Sequence, residues 1–132
     1  MSDNTALVHA AYADFQRGDV PALLAHCTDD IVWISNGDPA GIPWVGTRHG
    51  HAGVVEFLTG LGGNLDFEIF EPRKFVASDD MVVVIGFTQA RLRSGKRGLL
   101  ASEWVHLFTI RDGKLARFQE FYDTAAIEKL FV

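Results

Sequence analysis

The chain has one cysteine, Cys27, among its 132 residues. A lone cysteine excludes an internal disulfide and fits a reducing cytoplasm. Cys27 stands near Leu23 and Leu24 in an apolar segment with no lysine or arginine beside it, so it reads as buried packing rather than as a nucleophile. No apolar run reaches the length of a membrane span, and Met1-Ser2-Asp3-Asn4 does not read as a signal peptide. Positive charge is scarce: 12 Lys and Arg stand against 17 Asp and Glu, a net charge of −5. Without a Lys/Arg stripe, nucleic acid is excluded as a partner. The densest basic stretch, Arg91 to Arg97, reads as the solvated end of a hairpin. There is no Gly-rich phosphate loop, no Ser/His/Asp motif, no repeat and no linker. His49-Gly50-His51 has no clear third ligand after it, so no metal is expected, and no cofactor motif is present.

What is present is an apolar content of 48% in regular patterns, enough for one domain over residues 1–132 with a real core. Val8, Ala11, Tyr12 and Phe15 follow helical spacing, and Gly18 ends that helix. Asp19 is a good N-cap for a short helix from Val20 to His26. Asp30 to Ser35 is a short apolar strand. A third helix places Val54, Val55, Leu58 and Leu61 on one face, and Gly62-Gly63 should stop it. Three long strands follow, Leu65 to Ala77, Met81 to Arg93 and Leu99 to Ile110, with turns at Ser78-Asp79-Asp80 and Ser94-Gly95-Lys96. Asp112-Gly113 is the strongest hairpin signal and leads into a fourth long strand, Lys114 to Tyr122. Asp123 reads as the cap of a last short helix.

Alternation assigns faces. Ser102, Trp104, His106, Phe108 and Ile110 share one side of their strand, and Glu103, Val105, Leu107 and Thr109 the other. Arg91 and Glu103 pair best as a cross-strand couple on the outside, which turns Trp104, His106 and Phe108 inward. A bulged turn at Gly113 would set Glu120 opposite Trp104 and Phe118 opposite His106, with Tyr122 also inside. The outer face retains Ile85, Phe87, Val105 and Leu107, and such a half-apolar sheet face wants a second copy, a homodimer.

The segment Asp38-Pro39-Ala40-Gly41-Ile42-Pro43-Trp44-Val45-Gly46 adds a carboxylate and a tryptophan in a stiff loop, able to sit at a cavity mouth. Acid, imidazole and aromatics converging on one pocket point to acid–base chemistry on a small apolar molecule. Each residue also has a plainer use. Asp38 can be an Asx-turn residue ahead of Pro39, and His106 a satisfied core histidine. Trp33, Trp104 and Tyr122 can simply line a pocket, with their N–H or O–H free for a ligand. Glu120 facing Trp104, Phe118 and Tyr122 costs desolvation unless His106 or Arg117 pairs with it.

The succession of these pieces resembles the nuclear transport factor two-like superfamily, in its SnoaL-like polyketide cyclase and ketosteroid isomerase-like group. The resemblance is carried by Phe15-Gln16-Arg17-Gly18-Asp19, Thr28-Asp29-Asp30, Asp38-Pro39-Ala40-Gly41, Trp104-Val105-His106-Leu107-Phe108, Asp112-Gly113-Lys114-Leu115 and Glu120-Phe121-Tyr122-Asp123. It implies an α+β cone: a curved antiparallel sheet wrapped around N-terminal helices and enclosing a central pocket. It also implies roles. Asp38 is similar to the isomerase's proton-shuttling aspartate, His106 to its oxyanion-hole acid, and Tyr12 stands near its oxyanion tyrosine. Glu120 matches the last-strand acid of the cyclases. The epoxide hydrolases' Arg–x–Asp pair has no counterpart on Met81 to Arg93, where Gly86 and Thr88 face inward.

The expected function is therefore a cofactor-independent isomerase or cyclase. Asp38, His106 and Glu120 are its expected catalytic residues, and Tyr12, Trp33, Trp44, Trp104, Phe118 and Tyr122 its ligand contacts. The alternative is a non-catalytic module of the same fold that binds a small ligand or a partner.

Overall fold

Six strands form one curved, open sheet in the computed structural model, which describes residues 3–94 and 98–131. The chain opens with α1 (Asp3–Gln16) and α2 (Val20–Ala25), then β1 (Cys27–Ser35) and β2 (Gly46–His49). It continues with α3 (Gly50–Asn64), β3 (Leu65–Ser78), β4 (Met81–Leu92), β5 (Leu99–Arg111), β6 (Lys114–Phe121) and α4 (Thr124–Lys129). The strand order is β2-β1-β6-β5-β4-β3, antiparallel throughout except where β1 runs parallel to β6. No helix among the described residues is long and apolar enough to cross a membrane.

Local chemistry explains the boundaries. Gly18 takes φ +71° and ends the first helical segment, and the Asp19 side chain caps α2 by accepting from Ala22 N at 3.1 Å. Asp123 does the same for α4 through Ala126 N at 3.1 Å. Buried Asp14 ties α1 to the end of α2, bonding Arg17 and sitting 2.9 Å from His26 Nε2. Cys27 is buried with its thiol near Leu23 O at 3.5 Å, and burial pushes its pKa up to about 11, so it is a packing residue.

Several expectations shift. β1 starts at Cys27 rather than Asp30, because Cys27 already pairs with Leu115 of β6. β2 is a strand that no periodicity announces; its Gly-Thr-Arg-His is recruited by pairing with β1, so α3 begins only at Gly50. α3 runs on through Gly62-Gly63, and Asn64 Nδ2 bonds Gly60 O at 2.6 Å. β6 stops one residue earlier, at Phe121. The turn expected at Ser94-Gly95-Lys96 lies partly outside the described residues, as do Met1-Ser2 and the end of the Arg91–Arg97 run.

The face assignment holds while two pairings change. Ser102, Trp104, His106, Phe108 and Ile110 are all buried, and Ala101 and Glu103 are exposed. Arg91 and Glu103 are not partners, however. Arg91 lies opposite Leu99 and bonds Glu68 at 3.0 Å, and Glu103 lies opposite Phe87. The β5–β6 turn is a two-residue one, with Asp112 at φ 53° and Gly113 at φ 75°, the double positive φ of a type I′ hairpin. The extra residue of the ladder sits further on, at Ala116, between the pairs Ile110–Leu115 and Thr109–Arg117. His106 consequently faces Glu120 and Phe108 faces Phe118, two residues from the expected register and on the expected side.

Candidate functional site

Period-2 alternation on three adjacent strands brings three polar side chains into one inward row: Ser35 of β1, Glu120 of β6 and His106 of β5. All three are buried. Ser35 Oγ donates to Glu120 Oε1 at 2.6 Å, and Glu120 Oε2 lies 3.6 Å from His106 Nε2. From above, α1 presents Tyr12, whose hydroxyl is 2.7 Å from His106 Nδ1. The result is a chain of four groups, Tyr12, His106, Glu120 and Ser35, supplied by four elements. A hydroxyl and a carboxylate flanking an imidazole define its tautomer. The phenol donates to Nδ1, and the ring proton sits on Nε2, toward Glu120.

A second layer holds this row. Trp104 stacks on His106, with centroids 3.8 Å apart and an 18° interplanar angle. Its indole Nε1 donates to Thr88 Oγ1 at 2.8 Å, and Thr88 meets the Tyr122 hydroxyl at 3.1 Å. The indole overlies Gly86: a Cβ there would come within 2.3 Å of Trp104 Cζ2 and 2.6 Å of Glu71 O. Trp104 is thus a support behind the imidazole.

Burial sets the charge states. Desolvation drives the His106 imidazole below its ordinary pKa, although Glu120 favours the protonated form. Desolvation also holds the Tyr12 and Tyr122 phenols well above their usual range, and the Glu120 charge adds to both. Both phenols remain protonated donors at neutral pH. The His106 shift has a consequence for stability. The unfolded chain takes up this proton near pH 6.5, the folded chain only at lower pH. Between those limits the unfolded state binds more protons, so stability is fully present above about pH 6.5 and is lost as pH falls. Thermal melts across that window should show a steeper fall in Tm for the wild type than for His106→Asn. Parallel curves would contradict a buried neutral imidazole.

The row opens on a small apolar cavity that is open in part to solvent. Tyr12, Trp33, His106, Phe118, Glu120 and Tyr122 all line it. Phe15, Phe57, Leu58, Leu61, Phe67 and Phe70 also belong to the wall. The sequence placed Phe15, Leu58 and Leu61 on apolar helix faces and Thr88 on an inward strand face, but it assigned none of these residues, nor Ser35, to a site. Alternation from Ile31 and Trp33 does point Ser35 inward, and a serine in that position was the available signal. Trp44 is buried against Phe131 and lines a smaller space that shares Glu120 and Tyr122 with the cavity. Asp38 is not brought to the cavity. It is exposed, its side chain accepts from Ala40 N at 2.9 Å, and its carbonyl accepts from Gly41 N and Ile42 N. Ile42, Trp44 and Val45 of that loop turn inward instead. Among the described residues, no three His, Cys, Asp or Glu side chains are grouped as a metal site would need.

Comparison with known proteins bears on this geometry. A family profile described as a SnoaL-like domain matches residues 8–118. An NTF2-like protein of Burkholderia xenovorans superposes with a TM-score of 0.89 at 32% identity, covering 98% of this chain and 96% of its own. An NTF2-like protein of unknown function from Burkholderia pseudomallei gives 0.89 at 26% identity, covering 100% and 99%. TerC, co-crystallised with polyporic acid, gives 0.83 at 31% identity and covers 98% of both chains. Curated proteins give no match.

Proposed function

The chain belongs to the SnoaL-like family, and from that premise we propose that it is a cofactor-independent isomerase or cyclase of a small apolar carbonyl compound. The observation that carries the proposal is the Tyr12–His106–Glu120–Ser35 row at the wall of an apolar cavity. Glu120 is the proton acceptor. Ser35 occupies one carboxylate oxygen and leaves Oε2 on the His106 side. In the proposed step Glu120 takes the proton from the carbon next to the substrate carbonyl, and the electron pair moves onto the carbonyl oxygen. His106 Nε2–H, which has no hydrogen-bond partner among the described residues, stabilises that enolate oxygen. Glu120 then returns the proton to the same or another carbon, or the enolate attacks an electrophile within the molecule. Tyr12 acts through His106 as a positioning residue. Asp38, exposed in its turn, has no part in this proposal.

TerC was co-crystallised with polyporic acid, which supports a small organic molecule as the ligand class. The test is solvent-deuterium exchange. A panel of cyclic aromatic ketones and hydroxyquinones is incubated with the protein in heavy water and followed by proton NMR. Catalysed loss of a signal next to a carbonyl supports the enzyme. Binding across the panel with no exchange would leave a ligand-binding module instead.

We extend the proposal to assembly. Ile85, Val105 and Phe121 lie in one row across β4, β5 and β6 on the outer face, with Ile85 36% and Phe121 37% exposed. A second copy covering this face would bury apolar surface worth about 25 cal/mol per Å². Sedimentation at micromolar concentration should show a dimer, and Val105→Glu should shift it to monomer. A monomeric wild type would reject the interface.

A further inference from the structure

Two residues of the cavity wall carry a buried nitrogen with no hydrogen-bond partner among the described residues, His106 Nε2 and Trp33 Nε1. The first belongs to the row described above. The second is unused by it. Trp33 is 6% exposed and stacks on Phe118 at 4.0 Å. An indole N–H shut away from water forfeits a hydrogen bond, and buried tryptophans ordinarily find an acceptor. Trp104 shows the ordinary outcome, donating to Thr88 at 2.8 Å. Trp33 has its unmet donor on a residue of the cavity wall. It lies two residues from Ser35 along β1, about 7 Å of strand. That displacement sets it apart from the Ser35–Glu120–His106 row.

We infer that Trp33 is a ligand-binding residue whose Nε1–H holds a second acceptor oxygen of the substrate, distinct from the oxygen served by His106. The substrate is then an uncharged molecule with at least two separated oxygen functions. Charge follows from the lining: it contains Glu120 and no lysine or arginine among the described residues, so a carboxylate or phosphate would be desolvated without a counter-charge. The position of the first oxygen rests on the proposed acid–base reading; the Trp33 subsite is tested without turnover.

The probes are chromanone, with a ketone and a ring ether oxygen, and tetralone, the same skeleton with the ketone kept and a methylene in place of the ring oxygen. The full chain labelled with nitrogen-15 shows its three tryptophan indoles by NMR, and any two of Trp33→Phe, Trp44→Phe and Trp104→Phe assign the signals. Chromanone should move the Trp33 indole proton downfield, and tetralone should not. Trp33→Phe should weaken chromanone about three- to tenfold and leave tetralone within about twofold. The wild-type spectrum decides even if Trp33→Phe fails to fold. An unmoved Trp33 indole, an equal loss for both probes, or failure of both to bind would overturn the inference. Loss of deuterium exchange would count against Glu120 and leave this result standing.

Discussion

Glu120→Gln is expected to slow exchange next to the substrate carbonyl by about 10²–10⁴-fold, the usual loss on removing a positioned general base. The amide keeps the size of the side chain and an oxygen to accept from Ser35 Oγ, now 2.6 Å from the carboxylate. Ligand affinity should therefore change little, which separates a chemical loss from a binding loss. Full exchange activity in Glu120→Gln would remove Glu120 from the mechanism. Tyr12→Phe makes the complementary comparison. It deletes the hydroxyl 2.7 Å from His106 Nδ1 and frees the imidazole to take either tautomer. Its rate should fall less than that of Glu120→Gln, and the pH dependence of exchange should move.

Gly86→Ala is expected to be among the most destabilising single-methyl additions in the protein. The new Cβ would stand 2.3 Å from Trp104 Cζ2 and 2.6 Å from the Glu71 carbonyl oxygen. The carbonyl is backbone and cannot swing away, and the indole is held by its bond to Thr88. Overpacking of this kind costs about 3 kcal/mol, a drop in Tm of roughly 10 °C. The indole is also the surface on which His106 stacks, so the same variant should impair exchange. Trp104→Phe in the Gly86→Ala background should recover part of the lost stability, a non-additivity expected of residues in contact. A Tm within about 2 °C of wild type for Gly86→Ala would refute the packing argument.

The parts of this molecule legible in the sequence were those with a strong period. Five inward residues from Ser102 to Ile110 declared the buried face of β5, and Asp19 and Asp123 declared their caps. Asp112-Gly113 declared a hairpin. Its pattern did not show where the ladder takes its extra residue, because a bulge at Gly113 and one at Ala116 leave the same residues inside. β2 was invisible, since Gly46–His49 is a strand only by pairing with β1. At the site, Glu120 and His106 could be brought inside by alternation. Their partners could not be read so directly, because Tyr12 and Ser35 stand 94 and 85 residues away from them in the chain. Asp38 shows the opposite case. Its loop sequence suits a presented carboxylate and an Asx turn equally, and in the structure its side chain bonds the Ala40 amide and faces solvent.

The unpaired Ala116 has a larger consequence than a kink. Were the two-residue turn followed by an unbroken ladder, the spacing that joins Ile110 to Leu115 would continue, and His106 would lie opposite Gln119. Every side chain of β6 from Arg117 on would exchange sides. Gln119 would enter the interior, and Glu120 would go out to water. A one-residue slip that drew Ala116 into the ladder would thus turn an acid-bearing cavity into an amide-bearing one with no change of sequence at all, whereas deleting Ala116 would leave Thr109 on Arg117 and His106 on Glu120. For a scaffold of this kind, the place where a hairpin takes its extra residue is then part of what sets the chemistry of its cavity.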